Sequence, residues 1–239
     1  MTSHARILKL AVLALGLLPA LAFAAPSIGS VARLTGAEQG SAQAPGAPER
    51  RLSAGDLVYA GERIRTGDRT VLQLEFTDRS RFTLGPNTDF LVERYRHGAG
   101  AAEEESFHSR VFKGAFRFVS GLIARTQRRD VRVSVPVATI GIRGTHFEGE
   151  VAERREVDGK TVDASATVVL LEPENGEDKT AIVVENKFGA VVIDQPGYGT
   201  DIPDEKSPPS PVRRMQLRAI DNVLRVIRSP VRSGPMRRP

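Results

Sequence analysis

The stretch GDLVYAGERIRTGDRTVLQLEFTDRSRFTLGPNTDF, residues 55–90, decides the fold. Its middle, VLQLEF, places Leu72, Leu74 and Phe76 on one side of an extended chain and puts polar residues between them. Alternation with a period of two predicts a β-strand that is buried on one face. RFTL follows after a short turn and continues the pattern. This stretch therefore predicts a pair of half-buried strands.

The same kind of pattern returns further along, in VRVSV (131–135), ATVVLL (166–171), TAIVVE (180–185) and GAVVIDQPGYG (189–199). VFKGAFRFVSGLIA, residues 111–124, fits strands or a helix, and the alternation around Phe116 and Phe118 favours strands. Short strands with frequent turn signals predict an all-β domain over residues 52–202. Both twisted sheets and a solenoid-like stack agree with this pattern.

The first 24 residues have the features of a signal peptide. Arg6 and Lys9 precede an apolar run that ends at Leu21, and Ala22-Phe23-Ala24 is an A-x-A cleavage pattern. The apolar run is short for a membrane span and contains Pro19. We therefore expect an exported protein, either periplasmic or secreted, in which residues 25–51 form an N-terminal strand and linker.

Residues 203–239 are predicted to be a proline-rich basic tail. PDEKSPPSP, residues 203–211, has the composition of an extended linker. The residues after it have apolar positions at helical spacing, which predicts a short amphipathic helix. The helix fits an anionic membrane surface, a protein partner or the body of the same chain, and its candidate contact residues are Arg213, Arg214, Arg218, Arg225 and Arg228.

Composition excludes several classes of function. The chain has no cysteine, so it has no disulfide, thiolate metal site or cysteine nucleophile. Its net charge of +5 arises entirely from the tail, and a neutral exported body argues against nucleic-acid binding. Neither metal-binding histidine spacing nor a nucleotide-binding or nucleophile motif is present, so no catalytic, metal or cofactor residue is expected. Glu148 and Glu150 leave a glycan-directed hydrolase as a weaker alternative.

Glycine followed by an acid recurs every six residues, as Gly55-Asp56, Gly61-Glu62 and Gly67-Asp68. Glycine permits a positive φ at a turn, and the acid can accept hydrogen bonds from nearby backbone N–H groups. The series therefore predicts tight turns between short strands. A calcium-binding repeat is the alternative, but its carboxylates would be too few and too far apart.

Two blocks of the sequence together closely resemble the FecR domain family. The first is residues 55–90, and the second is VSVPVATIGIRGTHFEG, whose motif part is Ser134–Gly149. The residues that match the family pattern or its glycine-acid series are Gly55, Asp56, Gly61, Arg65, Thr66, Gly67, Asp78, Pro86, Pro136, Gly141, Arg143, Gly144, Thr145 and Phe147. The chain departs from the family's Asp-Gly-Ser turn, which reads Asp78-Arg79-Ser80 here, and Val135 replaces a threonine.

The resemblance implies a signalling role. Sigma-factor regulators of this family carry a cytoplasmic helical region and a membrane span before the domain, and their exported part receives signals from outer-membrane receptors. This chain has a signal sequence in that place. The resemblance therefore implies a sensing or adaptor module that contacts an envelope or outer-membrane protein. A structural protein whose tail adheres to anionic lipid or polymer is the main alternative.

Arg143 lies between two glycines in an apolar run, where an arginine needs a partner if it is buried. A guanidinium has five donors in a fixed fork, which suits a carboxylate and several carbonyls. We expect Arg143 to pin the second block to the first through Asp56, Asp68 or Asp78. The alternative is that Arg143 recognises a carboxylate or another anion outside the domain.

Overall fold

The computed structural model describes residues 26–36, 40–98, 105–125, 129–172 and 181–215. The described part is almost entirely β, as the alternating sequence predicts. The strands before residue 98 are β1 (Gly29–Thr35), β2 (Gly40–Gln43), β3 (Arg50–Leu52), β4 (Leu57–Val58), β5 (Arg63–Arg65), β6 (Val71–Phe76), β7 (Arg81–Leu84) and β8 (Asp89–Arg96).

One long strand and ten shorter ones follow. They are β9 (Glu105–Val119), β10 (Arg129–Val135), β11 (Ala138–Arg143), β12 (His146–Ala152), β13 (Arg155–Val157), β14 (Lys160–Val162), β15 (Ser165–Leu171), β16 (Ala181–Asn186), β17 (Gly189–Ile193), β18 (Tyr198–Ile202) and β19 (Arg213–Arg214). A single 3-10 turn, Ile123–Arg125, separates β9 from β10.

The strands form two sheets that share β9. Sheet A has the order β4-β1-β6-β7-β9-β12-β15-β18-β19, and sheet B has the order β3-β2-β5-β8-β9-β10-β11-β16-β17. All the pairings are antiparallel except that of β9 with β10. β13 and β14 form a separate exposed hairpin. The arrangement is therefore two twisted sheets and not a solenoid.

Gly114 marks the point at which β9 passes from one sheet to the other. Residues before it pair with β8 in sheet B, and residues from it onward pair with β7 and β12 in sheet A. Its φ is +98°, and a Cβ at this position would lie 2.5 Å from the Cα of Thr88. The bend therefore requires a residue without a side chain.

The core lies between the inner faces of the two sheets and is rich in phenylalanine. Phe82 of sheet A lies 4.6 Å from Phe90 of sheet B, and Phe76 of sheet A lies 4.7 Å from Phe107 of sheet B, measured between ring centroids. All four side chains are buried. The predicted strand faces are confirmed, because Leu72, Leu74 and Phe76 point inward, as do Val131, Val133, Val135, Phe116 and Phe118.

The segments on both sides of residues 52–202 also belong to the β-structure. β1 pairs with β6 along its length, and β2, which lies in the expected linker, pairs with β5. After Ile202, the N–H of Ser210 donates to the carbonyl of Asp201, and β19 pairs with β18. Residues 40–43, expected within a strand and linker region, therefore form a strand of sheet B. Residues 203–215, expected as a linker that leads into a helix, are bonded to sheet A.

The signal peptide and the amphipathic helix from residue 216 onward, with Arg218, Arg225 and Arg228, fall outside the described residues. No helix among the described residues has the length and apolar character that are needed to cross a membrane. Arg213 and Arg214 form β19, and Arg213 makes an ion pair with Asp201. These two arginines therefore belong to the sheet and not to a helix.

Candidate protein-contact surface

The first two members of the glycine-acid series form the same local turn. The Asp56 carboxylate accepts the N–H of Ser53 at 2.8 Å, and the Glu62 carboxylate accepts the N–H of Tyr59 at 3.0 Å. Gly55 and Gly61 both have positive φ angles. Each acid thus accepts the N–H of the residue three positions before it and closes a tight turn, as predicted.

The third member behaves differently, since Gly67 does not have a positive φ and Asp68 accepts a hydrogen bond from the Asn87 side chain. Glu62 is buried and makes a bidentate ion pair with Arg50. The carboxylates of the series therefore serve separate partners. Within the described ranges, no group of three or more acidic or histidine side chains is placed to hold a metal ion.

Thr66 connects two motif segments of the first block, residues 65–67 and residues 84–88. Its hydroxyl donates to the carbonyl of Gly85 at 2.6 Å and accepts the N–H of Thr88 at 2.8 Å. Both threonines are buried. Arg65, the residue before, is partly exposed and lies near Asp89 and Glu49. The hydroxyl of Thr66 therefore connects the two segments of this block. Pro86 and Asn87 lie in the turn before Thr88.

Asp78 is the centre of a buried hydrogen-bond network. Its carboxylate accepts the N–H and the hydroxyl of Ser80, the hydroxyl of Tyr95 at 3.1 Å and the N–H of Ile123 at 3.4 Å. The Tyr95 hydroxyl in turn accepts the N–H of Asp78 at 2.7 Å. Burial is the largest influence on Tyr95 and raises the pKa of its hydroxyl. Asp78 therefore joins the β6–β7 turn to β8 and to the 3-10 turn.

Arg79 occupies the position at which the family pattern has glycine, and its φ is +66°. The left-handed conformation costs an L-residue about 1–2 kcal/mol. Arg79 is exposed, so its side chain has little packing that could offset this cost. The turn keeps the glycine-type backbone although the glycine is absent.

We expect Arg79→Gly to stabilise the domain. The gain should be about 0.5–1 kcal/mol, because relief of the left-handed strain exceeds the entropy that glycine adds to the unfolded chain. Urea denaturation of the wild type, Arg79→Gly and Arg79→Ala measures it. Alanine keeps the strain and should give no gain. Equal stabilisation by alanine and glycine would show that the arginine side chain, and not its φ, is the cause.

The second motif block forms β11 and the start of β12. Pro136 begins the two-residue turn between β10 and β11, and Gly144, with a φ of +57°, follows the last residue of β11. Thr145 and Phe147 are completely buried, and the carbonyl of Thr145 accepts the N–H of Ser120. These residues serve the fold.

Arg143 does not serve the fold in the expected way. Its side chain is exposed at the end of β11. Within the part of the chain that the structure describes, it makes no hydrogen bond or ion pair with Asp56, Asp68 or Asp78. The prediction of a buried pin is wrong, because an odd-numbered position on β11 faces away from the core. The inward positions are taken by Ile140 and Ile142.

Gly141, two residues earlier, lies on the same outer face of sheet B as Arg143. It pairs with Val183 of β16, and a Cβ on Gly141 would have 3.9 Å to its nearest neighbour. Ala181 lies opposite Arg143. We call Gly141, Arg143, Ala181 and Val183 the outer patch. It consists of a glycine, an alanine and a valine beside one exposed guanidinium.

The neighbouring arginine of this face is already neutralised. Arg132 of β10 lies opposite Gly141 in register, and its guanidinium donates to Asp130, whose carboxylate also accepts a hydrogen bond from the His108 Nε2 at 2.7 Å. Burial opposes the ionisation of Asp130, but the hydrogen bonds with Arg132 and His108 outweigh it and lower the pKa of Asp130. Arg143 is thus the arginine of the patch whose charge is available to an external carboxylate.

The carboxylates considered for glycan cleavage lie on a single strand. Glu148 and Glu150 are two residues apart on β12, with Glu148 buried and Glu150 exposed. Glu148 lies opposite Arg117 of β9. A glycosidase needs two carboxylates on opposite sides of a bound sugar. This placement does not favour glycan cleavage.

Sequence reasoning missed the side chains that complete these networks. Tyr95 lies in β8, and its hydroxyl donates to the carboxylate of Asp78. Asp89 is buried and receives two hydrogen bonds from Arg63, whose guanidinium also lies 4.3 Å from the Phe112 ring centroid. In the sequence, an acidic residue next to the apolar Phe90 indicates that Asp89 could be buried. The sequence does not indicate that Arg63 is its partner.

Residues 62–172 match the sequence model of the family described as FecR protein. Two crystal structures of a provisionally assigned anti-sigma factor from Parabacteroides distasonis ATCC 8503 align with 68% of this chain, at 12% sequence identity and a TM-score of 0.49. The alignments cover 63% and 64% of that protein, so this chain spans less than two thirds of its length. No curated protein matches the chain.

Proposed function

We propose that this chain, whose residues 62–172 match the FecR protein family model, is an exported, non-enzymatic module that acts in envelope signalling by contacting another protein. The FecR domain supports the signalling role. Export rests on the sequence of residues 1–24, and an envelope or outer-membrane protein is the proposed partner. The outer patch is the proposed contact surface.

The observation that carries the proposal is that some motif residues are buried in the domain while others lie on its outer face. Thr66, Asp78, Thr145 and Phe147 are buried and bonded or packed inside the domain. Gly141 and Arg143 belong to the same motif, yet they lie on the outer face without a role in the core. An exposed motif residue with a free fork of donors is suited to binding a carboxylate of a partner.

In-cell photo-crosslinking from position Thr139, on the same face as the outer patch, tests this function. We expect Arg143→Glu to reduce the captured envelope protein about tenfold, which corresponds to about 1.4 kcal/mol of binding. The matched control is Arg51→Glu, which reverses an exposed charge at the far end of sheet B and should leave capture unchanged. Equal capture by the Arg143 and Arg51 variants would contradict the proposed surface.

The adhesive-tail alternative needs its own variant, a chain that ends at Met215. This end keeps β18 and β19, whereas an end at Thr200 would remove Ile202 from the core. If capture survives the truncation, the β-domain is the contact surface. If capture disappears together with binding to anionic lipid vesicles, the tail is the functional element and the adaptor role is wrong.

A further inference from the structure

The outer edges of the two sheets differ in how they are protected. An edge strand presents unpaired N–H and C=O groups, and proteins usually shorten such strands or place charges on them. Three of the four edges follow this rule: β4 has two residues, β3 carries Arg50 and Arg51, and β19 consists of Arg213 and Arg214. β17, GAVVI, has five residues and no charge.

The free groups of β17 can be assigned from its hairpin with β16. Asn186 pairs with Gly189 across a two-residue turn, so these two residues exchange the first hydrogen bonds of the hairpin. The bonding direction alternates along the strand, which points the N–H and C=O groups of Ala190 and Val192 away from β16. No hydrogen bond crosses that edge within the described residues.

The side chains along this edge are apolar and exposed. Val192 is 59% exposed and Phe188, in the turn, is 45% exposed. They lie on the same face as Ala190, which is also exposed. An uncharged edge beside exposed apolar side chains is adapted to pairing with another strand.

We propose that the second strand is β17 of another copy of this chain, paired antiparallel about a two-fold axis at Ala190. In this register Ala190 lies opposite its own counterpart, and Phe188 lies opposite Val192 of the other copy. Phe188 of each copy then packs against Val192 of the other copy, so the two-fold axis creates two such contacts. No like charges lie opposite each other in this register.

The alternative two-fold register, centred on Val191, places Phe188 opposite Asp194 and is therefore less favourable. The contact is small, because it consists of one five-residue strand and a turn from each copy, whereas stable interfaces bury about 1,200–2,000 Å². The dimer should thus form in the micromolar range or above. The outer patch on the face of β11 and β16 stays accessible in the dimer.

Sedimentation velocity of the purified full chain over a concentration series tests the proposal. We expect reversible dimerisation, and Val192→Lys should raise its dissociation constant by about tenfold or more. The matched control is Val162→Lys, which makes the same change at a valine that is 41% exposed on β14. It should leave dimerisation unchanged. A chain that remains monomeric, or two lysine variants with the same effect, would overturn the proposal.

The register has an independent test, since the chain contains no cysteine. Under mild oxidation, Ala190→Cys should form a disulfide-linked dimer, because directly opposite residues in an antiparallel pair lie within disulfide reach. Val162→Cys controls for random collision. Faster crosslinking at Ala190 that Val192→Lys suppresses supports the pairing. Equal rates at the two positions, or crosslinking at Val191→Cys instead, would reject it.

Discussion

Asp78→Ala should lower the free energy of unfolding by about 3–5 kcal/mol, because it removes the acceptor of several buried hydrogen bonds at once. Asp78 is 1% exposed, and its carboxylate accepts hydrogen bonds from Ser80, Tyr95 and Ile123. Alanine removes the acceptor that these donors share, and each buried donor that becomes unsatisfied costs about 1–3 kcal/mol. Urea denaturation followed by far-ultraviolet circular dichroism measures the loss.

Asp56→Ala is the matched control for Asp78→Ala. Asp56 also accepts a backbone N–H at a turn, but it is at the surface, where water replaces the lost acceptor. Its substitution should cost about 1 kcal/mol or less. Asp78→Asn should fall between the two, because one oxygen remains while an amide N–H₂ replaces the other. A loss for Asp78→Ala no larger than that for Asp56→Ala would refute the proposed role of the buried network.

Gly114→Ala should destabilise the domain by more than about 3 kcal/mol, since it combines backbone strain with a steric clash. The φ of +98° is unfavourable for any L-residue, and the new Cβ would lie 2.3 Å from the Thr88 Oγ1 and 2.5 Å from the Thr88 Cα. A backbone atom cannot move aside as a flexible side chain can. The bend of β9, and with it the connection between the sheets, should weaken. Thermal and urea unfolding both report the change.

Gly141→Ala is the control for Gly114→Ala within the same sheet system. Gly141 does not have a positive φ, and a Cβ there meets no atom closer than 3.9 Å. Its stability should therefore change by about 0.5 kcal/mol or less. Similar losses at both glycines would mean that β9 tolerates a side chain at its bend and that the two-sheet arrangement does not depend on Gly114.

Turn chemistry was predictable wherever the interacting groups are close in sequence. The carboxylates of Asp56 and Glu62 bond N–H groups three residues before them, and a sequence pattern can indicate a contact of that range. Besides the nearby Ser80, the partners of Asp78 are Tyr95 and Ile123, which are 17 and 45 residues away. No local pattern indicates contacts of this kind, because they depend on which strands are neighbours.

The expectation for Arg143 was wrong for a related reason. Its apolar neighbours Ile140 and Ile142 indicate a strand with one buried face, and the period of two assigns Arg143 to the opposite face. The flanking glycines and the apolar surroundings in sequence favoured a buried partner instead. The two faces of a strand have different environments, so neighbours in sequence do not determine the burial of a side chain.

By itself, the sequence determined the strands with clear alternation and their inward faces, the all-β class and the FecR resemblance, because alternation and turn signals act over a few residues. The tertiary structure decided which strands pair, how β9 serves both sheets, and that β1, β2 and β19 complete them. It also decided that Thr66 and Asp78 connect the domain while Arg143 faces outward. Strand pairing joins residues that are far apart in the chain, and its register is set by burial of the common core between two sheets, which no single segment contains.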